Sequence, residues 1–149
     1  MALSYISKMA IRKTKTVLVV DDEEENLRTY AEILNDMDYN VLSQPDGLSA
    51  LSLLSEDTAV DLIITDFRMP GMNGIEFITE LRRIRPFVPV IIITAYGNIE
   101  TYLHSVSLGV FEYVHKPVKK EEFERIVKHA LLDASLQKRS NDDSDEVQL

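Results

Sequence analysis

The amino-acid sequence predicts an α/β fold, a (βα)5 arrangement in which five strand–helix units build a doubly wound, five-stranded parallel sheet. Three observations carry that expectation. Short continuous apolar runs at residues 17–20, 62–64, 90–93 and 111–114 have the length of strands buried on both faces, with a weaker strand at 39–43. Each run is followed by a segment whose apolar residues recur every three or four positions, the spacing of an amphipathic helix. The third is composition: 149 residues, 45% hydrophobic and 28% charged, suit one globular domain with its own core.

In chain order, the first strand runs into "DDEEEN", and the helix after it carries Leu27, Tyr30, Leu34 and Met37 at helical spacing. The weak strand at 39–43 precedes Asp46, a residue type that caps helices, and a helical pattern over 48–54. The strand at 62–64 is followed by Asn73, a second N-cap, and by Ile75, Ile78 and Leu81. After the strand at 90–93 a weaker helical pattern covers 99–106, and Gly109 is placed to stop it. The last strand, 111–114, leads to Phe123, Ile126, Val127, Ala130 and Leu131 on one helical face. The domain is expected over residues 15–135. Outside it lie a basic N-terminal arm, residues 1–14, with Lys8, Arg12 and Lys13, and a mostly acidic C-terminal tail, residues 136–149, both read as flexible, solvated ends.

A formal charge of -9 opposes general binding to nucleic acid or to an anionic membrane, since either needs a basic surface. The absence of cysteine excludes disulfides and thiolate metal sites and fits a reducing compartment. Lys8 interrupts the weak apolar stretch at the start, and the longest aliphatic run, "VPVIII", is far too short to span a bilayer. The expected location is the cytoplasm.

In parallel sheets of this kind ligands bind beyond the carboxyl ends of the strands. Those ends carry Asp21 and Asp22 after the first strand, Asp66 after the third, Thr94 after the fourth and Lys116 just past the fifth. Any one aspartate alone reads as a cap or turn residue. Together, three carboxylates would repel unless protons or cations neutralised them, so their convergence predicts a cation site, and an all-oxygen shell suits Mg2+, with Mn2+ as an alternative. A third acid beside a lysine and a threonine suggests a reaction, with the Asp66 carboxylate as nucleophile toward a phosphoryl group whose oxygens Lys116 and Thr94 contact.

The segments "VLVVDDEEEN", "LIITDFRMPGMNG", "IIITAYG" and "YVHKP" resemble the receiver domain of two-component response regulators, the CheY-like superfamily, over about residues 15–135. The order and spacing of all five positions agree, which no single segment would establish. The resemblance implies a flavodoxin-like sheet of strand order 2-1-3-4-5, with Asp66 as phosphoacceptor. It implies Asp22 as a direct Mg2+ ligand, Asp21 acting mainly through water, and the backbone carbonyl of Arg68 as a further ligand. Thr94 and Lys116 match the residues that contact the phosphoryl group. Tyr113 matches the aromatic switch residue, although by residue type alone it reads as an ordinary half-buried strand aromatic. The Lys116-Pro117 bond is expected to be cis.

The same resemblance implies a phosphoacceptor signalling domain rather than an enzyme that turns over an external substrate. Its phosphodonor would be a sensor histidine kinase or a phosphotransfer protein, and its output a downstream effector reached through the face of the fourth helix, fifth strand and fifth helix. A phosphorylation-dependent homodimer through that face is a further expectation. The first helix, with Asn26, Arg28 and Thr29, is where a kinase would dock, and Tyr102 and Tyr113 are candidates for the signalling face. Arg68 and Tyr96 flank the approach of water to the acyl phosphate and either slow hydrolysis or point into solvent. His104, His115 and His129 have no partner pattern and are expected at the surface. A haloacid-dehalogenase-like phosphatase would need an aspartate where Arg68 stands, and a flavin or nucleotide binder would not place "DDEEEN" against phosphate. The remaining rival is a receiver-shaped interaction module that works without phosphorylation.

Overall fold

Continuous runs of branched aliphatic residues form strands here because both faces of a central sheet are buried, so no polar alternation is needed. The computed structural model describes residues 14–147, with side chains as far as residue 137. The elements are β1 (Thr16–Val20), α1 (Glu24–Asp36), β2 (Asn40–Gln44), α2 (Gly47–Ser55), β3 (Leu62–Thr65), α3 (Gly74–Ile84), β4 (Val90–Thr94), α4 (Ile99–Ser107), β5 (Glu112–His115) and α5 (Lys120–Val147). Every pairing is parallel and the strand order is β2-β1-β3-β4-β5, as expected.

Alternate residues of the strands point to opposite faces and so divide the core in two. Val17, Val19, Leu62, Ile64, Ile91 and Ile93 meet α1 and α5, where Tyr30 stacks on Phe123 with ring centroids 5.1 Å apart. Leu18, Val20, Ile63, Val90 and Ile92 meet Ala50 and Leu54 of α2 and Phe77, Ile78 and Leu81 of α3. Each fully buried aliphatic or aromatic side chain of this set contributes roughly 1.5–3 kcal/mol. Helix α4 is the exception: its one buried residue is Ser105, while Ile99, Tyr102, Leu103 and Val106 are exposed.

Local signals end the helices where the sequence indicates. The Asp46 Oδ1 accepts the Ser49 N–H at 2.7 Å and the Asn73 Oδ1 accepts the Glu76 N–H at 2.9 Å, each satisfying an orphan donor of a first turn. Gly109 follows α4 with φ +72°, a left-handed conformation that favours glycine. The Lys116-Pro117 bond is cis.

One helix runs further than expected. The tail expected from residue 136 is helical backbone through Val147, because no glycine or proline interrupts the chain between Lys120 and that point. The expected arm over residues 1–14 lies outside the described residues except for Thr14. At the amino ends of the strands, two arginines that no motif singled out tie loops together through backbone carbonyls. Arg82 donates to Leu108 O at 2.9 Å, Val88 O at 2.6 Å and Gly109 O at 3.1 Å, and Arg85 donates to Thr58 O at 2.6 Å and Leu54 O at 3.1 Å. Burial lowers the Arg82 pKa, yet carbonyl oxygens of helix C-termini are natural partners for a guanidinium. No helix among the described residues is long and apolar enough to cross a membrane.

Candidate functional site

The strand order decides which strand ends meet. Val20 of β1 lies opposite Thr65 of β3, so the residues that follow, Asp21 and Asp66, stand side by side. Their backbones extend the ladder: the Asp66 N–H donates to Val20 O at 3.1 Å and the Asp21 N–H to Gln44 O at 3.2 Å. Thr94 lies opposite His115, and the Lys116 N–H donates to Thr94 O at 2.9 Å, which launches the lysine side chain over the end of the sheet.

Lys116 Nζ meets Asp66 Oδ2 at 2.7 Å and Asp21 Oδ2 at 3.5 Å. Both acids are buried, at 7% and 2% exposure. The second oxygen of Asp66 accepts the Arg68 N–H at 3.1 Å, while Asp21 accepts the Glu23 N–H at 2.9 Å and the Asn26 side-chain amide at 3.2 Å. Asp21 has its pKa raised, foremost by burial, with Asp66 adding to the effect while the Glu23 N–H and Lys116 oppose it. Burial acts to lower Lys116, but the hydrogen bond to Asp66 and the field of both acids outweigh it and raise its pKa. In this arrangement a single ammonium faces two carboxylates, which leaves negative charge over.

Asp22 is exposed and lines a cleft of about 420 Å³ together with Glu23, Asp66, Arg68, Met69, Pro70, Asn73 and Tyr96. Among the described residues no three acidic, histidine or cysteine side chains gather into a ready metal-holding cluster. Lys116 is thus in contact with both buried acids, while Asp22 shares the cleft with Asp66. The donor set nevertheless fits a hard divalent cation. It offers carboxylate oxygens on one cleft, a surplus of negative charge, and no imidazole or thiolate.

Thr94 is fully buried, and its hydroxyl engages the backbone of Tyr96 rather than Asp66, accepting the Tyr96 N–H at 3.1 Å and donating to Tyr96 O at 3.3 Å. Tyr113 is half-buried and does not touch the acids; its ring lies edge-on to Tyr102, with centroids 5.7 Å apart, and to His115 at 5.6 Å. The Arg68 guanidinium stacks over the Tyr96 ring, 4.3 Å from its centroid, so these two residues do not simply point into solvent. His104, His115 and His129 are exposed, as expected.

Sequence reasoning missed three participants. Asn26, expected at the docking surface, also donates its amide to Asp21, a contact that the i, i+5 spacing across a helix start could have indicated. Glu23, one of a run of acids, lines the cleft. Gly97 in "IIITAYG" sits under the Tyr113 hydroxyl, and only the tertiary structure brings those positions together.

The family described as "Response regulator receiver domain" matches residues 17–128. The chain is 34% identical over 119 residues to the transcriptional regulatory protein GlrR of Escherichia coli (strain K12), covering 80% of this chain and 27% of that protein. It is 34% identical over 122 residues to the regulatory protein AtoC of Escherichia coli (strain K12), covering 82% and 26% respectively. The chain thus spans about a quarter of the length of the curated relatives it matches. Its structure superimposes on that of a CheY-like response regulator receiver domain protein from Methanospirillum hungatei JF-1 with a TM-score of 0.81 at 26% identity, covering 84% of this chain and 99% of the other.

Proposed function

The chain belongs to the response regulator receiver domain family of two-component systems, and on that premise we propose that it accepts a phosphoryl group on Asp66 and signals by reshaping the face of α4, β5 and α5. The observation that carries the reading is the Asp66 carboxylate, at the mouth of the cleft with one oxygen 2.7 Å from Lys116 Nζ and the other on the Arg68 N–H. Two directed donors hold a carboxylate in one orientation, as a nucleophile requires.

In the transfer, an Asp66 oxygen forms a bond to phosphorus as the bond from phosphorus to the donor's phosphohistidine nitrogen breaks, and the imidazole keeps that electron pair. Lys116 stays beside Asp66 and neutralises charge on the phosphoryl oxygens, and Thr94 turns its hydroxyl from the Tyr96 backbone to a phosphoryl oxygen. Asp21, Asp22, Asp66 and the carbonyl of Arg68 would hold Mg2+, or Mn2+ in its place. The ion, when bound, supplies positive charge against the phosphoryl oxygens. Asn26 and the Glu23 N–H keep Asp21 oriented meanwhile.

The acyl phosphate carries roughly one negative charge more than the carboxylate. Thr94 is drawn inward, Tyr113 follows, and the α4–β5–α5 face changes shape. The exposed Ile99, Tyr102, Leu103 and Val106 make that face apolar enough for a protein partner, including a second copy in a phosphorylation-dependent homodimer. The chain works in the cytoplasm, its phosphodonor a sensor histidine kinase or phosphotransfer protein and the recipient a downstream effector domain or protein. The chain promotes its own phosphotransfer and dephosphorylation, turning over no external substrate.

The test is intact-mass measurement after incubation with acetyl phosphate and Mg2+. A hydroxylamine-labile gain of one phosphoryl group, absent in Asp66→Asn and with EDTA, is expected. No gain in a folded protein shown to bind Mg2+ would point instead to a module that works without phosphorylation.

A further inference from the structure

Tyr113 is held by more than its own strand. A side-chain carbon at Gly97 would collide with the Tyr113 hydroxyl and come within 3.0 Å of its Cζ and 3.1 Å of His115 Cε1. The Gly97 backbone is not left-handed, so it is this space, and not backbone strain, that reserves the position for glycine. Lying over Gly97, the Tyr113 hydroxyl comes within 3.3 Å of Thr101 Oγ1.

Thr101 is already committed. Its Oγ1 accepts the Asn98 N–H at 3.1 Å and donates its one proton to Asn98 O at 2.9 Å, while Asn98 Oδ1 accepts the Thr101 N–H at 2.9 Å. These bonds form the capping box that starts α4. A hydroxyl has one proton and two lone pairs, so the remaining lone pair of Thr101 takes the Tyr113 O–H. The tyrosine thereby completes the cap of the helix that has the least buried surface to hold it in place, since Ser105 is its one buried residue.

We propose that Gly97 and Thr101 are positioning residues that seat Tyr113 so that its hydroxyl latches the first turn of α4, and that withdrawal of Tyr113 releases that turn. The latch rests on the reading of Tyr113 as the mobile switch residue; it adds the route by which a rotation on β5 reaches α4. The exposed apolar stripe of α4 then moves as a consequence of losing one bond at the cap.

Amide hydrogen exchange at Thr101 and Tyr102, measured by NMR in the unphosphorylated chain, tests the latch. Tyr113→Phe keeps the ring and loses the bond, so exchange at both amides is expected to speed up about two- to tenfold, the share of one neutral hydrogen bond. Thr101→Ser keeps the hydroxyl and should leave the rates unchanged. Gly97→Ala should accelerate exchange in the wild-type background and add nothing in Tyr113→Ala, where there is no ring left to displace. Unchanged exchange in Tyr113→Phe overturns the latch, and an equal effect of Gly97→Ala in both backgrounds overturns the role of Gly97. Acetyl phosphate with Mg2+ separates the latch from the switch. Faster exchange on phosphorylation of the wild type, without further gain in Tyr113→Phe, is expected. Rates that respond to the variants and not to phosphorylation keep the latch and remove the switch reading; a phosphorylation response undiminished in Tyr113→Phe overturns the latch as its route.

Discussion

Replacing Lys116 by methionine removes the ammonium and keeps the length of the side chain, leaving Asp21 and Asp66 facing each other without a counterion. Their side chains are 3% and 7% exposed and that of the lysine 19%, so water screens the pair little. Breaking a buried ion pair by removing one partner costs 3–5 kcal/mol, and the partial exposure of the lysine places this case near the lower end, about 3 kcal/mol. For a domain of this size that corresponds to a melting point lower by roughly 10 °C. The pH dependence follows from the direction of the Asp21 shift. Its folded pKa lies above 3.8, so the native state holds the proton longer than the unfolded chain, and its contribution to stability falls as pH rises through the window above 3.8. Without Lys116 that window widens, and the deficit of Lys116→Met is expected to be largest near neutrality and to shrink toward pH 4. Urea unfolding followed by far-ultraviolet circular dichroism from pH 4 to 8, with EDTA present, measures it. A deficit under about 1 kcal/mol at pH 7.5, or one independent of pH, would refute the reasoning.

Mg2+ at a hundred times its dissociation constant should stabilise the wild-type chain by about 2.7 kcal/mol in the same assay, a gain expected to disappear in Asp22→Ala; an equal gain in that variant would remove Asp22 from the proposed ion site. Arg68→Asn with Tyr96→Ala breaks the stacked pair beside Asp66 and should shorten the phosphate lifetime by up to about tenfold, or 1.4 kcal/mol, as read by phosphate release. An unchanged lifetime would discard the idea that the pair restricts water. Asp46→Ala should cost about 1 kcal/mol through loss of the α2 cap. The Ser49 N–H lowers the Asp46 pKa, so the stability it provides is present above pH 3.8 and lost as the pH falls further; acid unfolding of the variant should accordingly be less steep than that of the wild type there.

What the sequence determined by itself is whatever depends on neighbours along the chain. Apolar runs became strands and the Asp46 and Asn73 caps formed as expected, because a strand's burial pattern and a cap's hydrogen bond span only a few residues. The motif spacing also marked Asp21, Asp66 and Lys116 as one group. Their contact, however, joins positions 50 and 95 residues apart, and it exists because β1 and β3 are neighbours in the sheet and the Lys116 side chain, past the end of β5, reaches across to their ends. The tertiary structure alone decided that Lys116 sits against both buried acids, that the Thr94 hydroxyl faces Tyr96, and that Arg82 bonds to the carbonyls of Leu108 and Gly109. It also decided that Tyr113 reaches Thr101 across Gly97, a contact made by side-chain rotamers and interstrand register, neither of which leaves a period or a spacing in the chain.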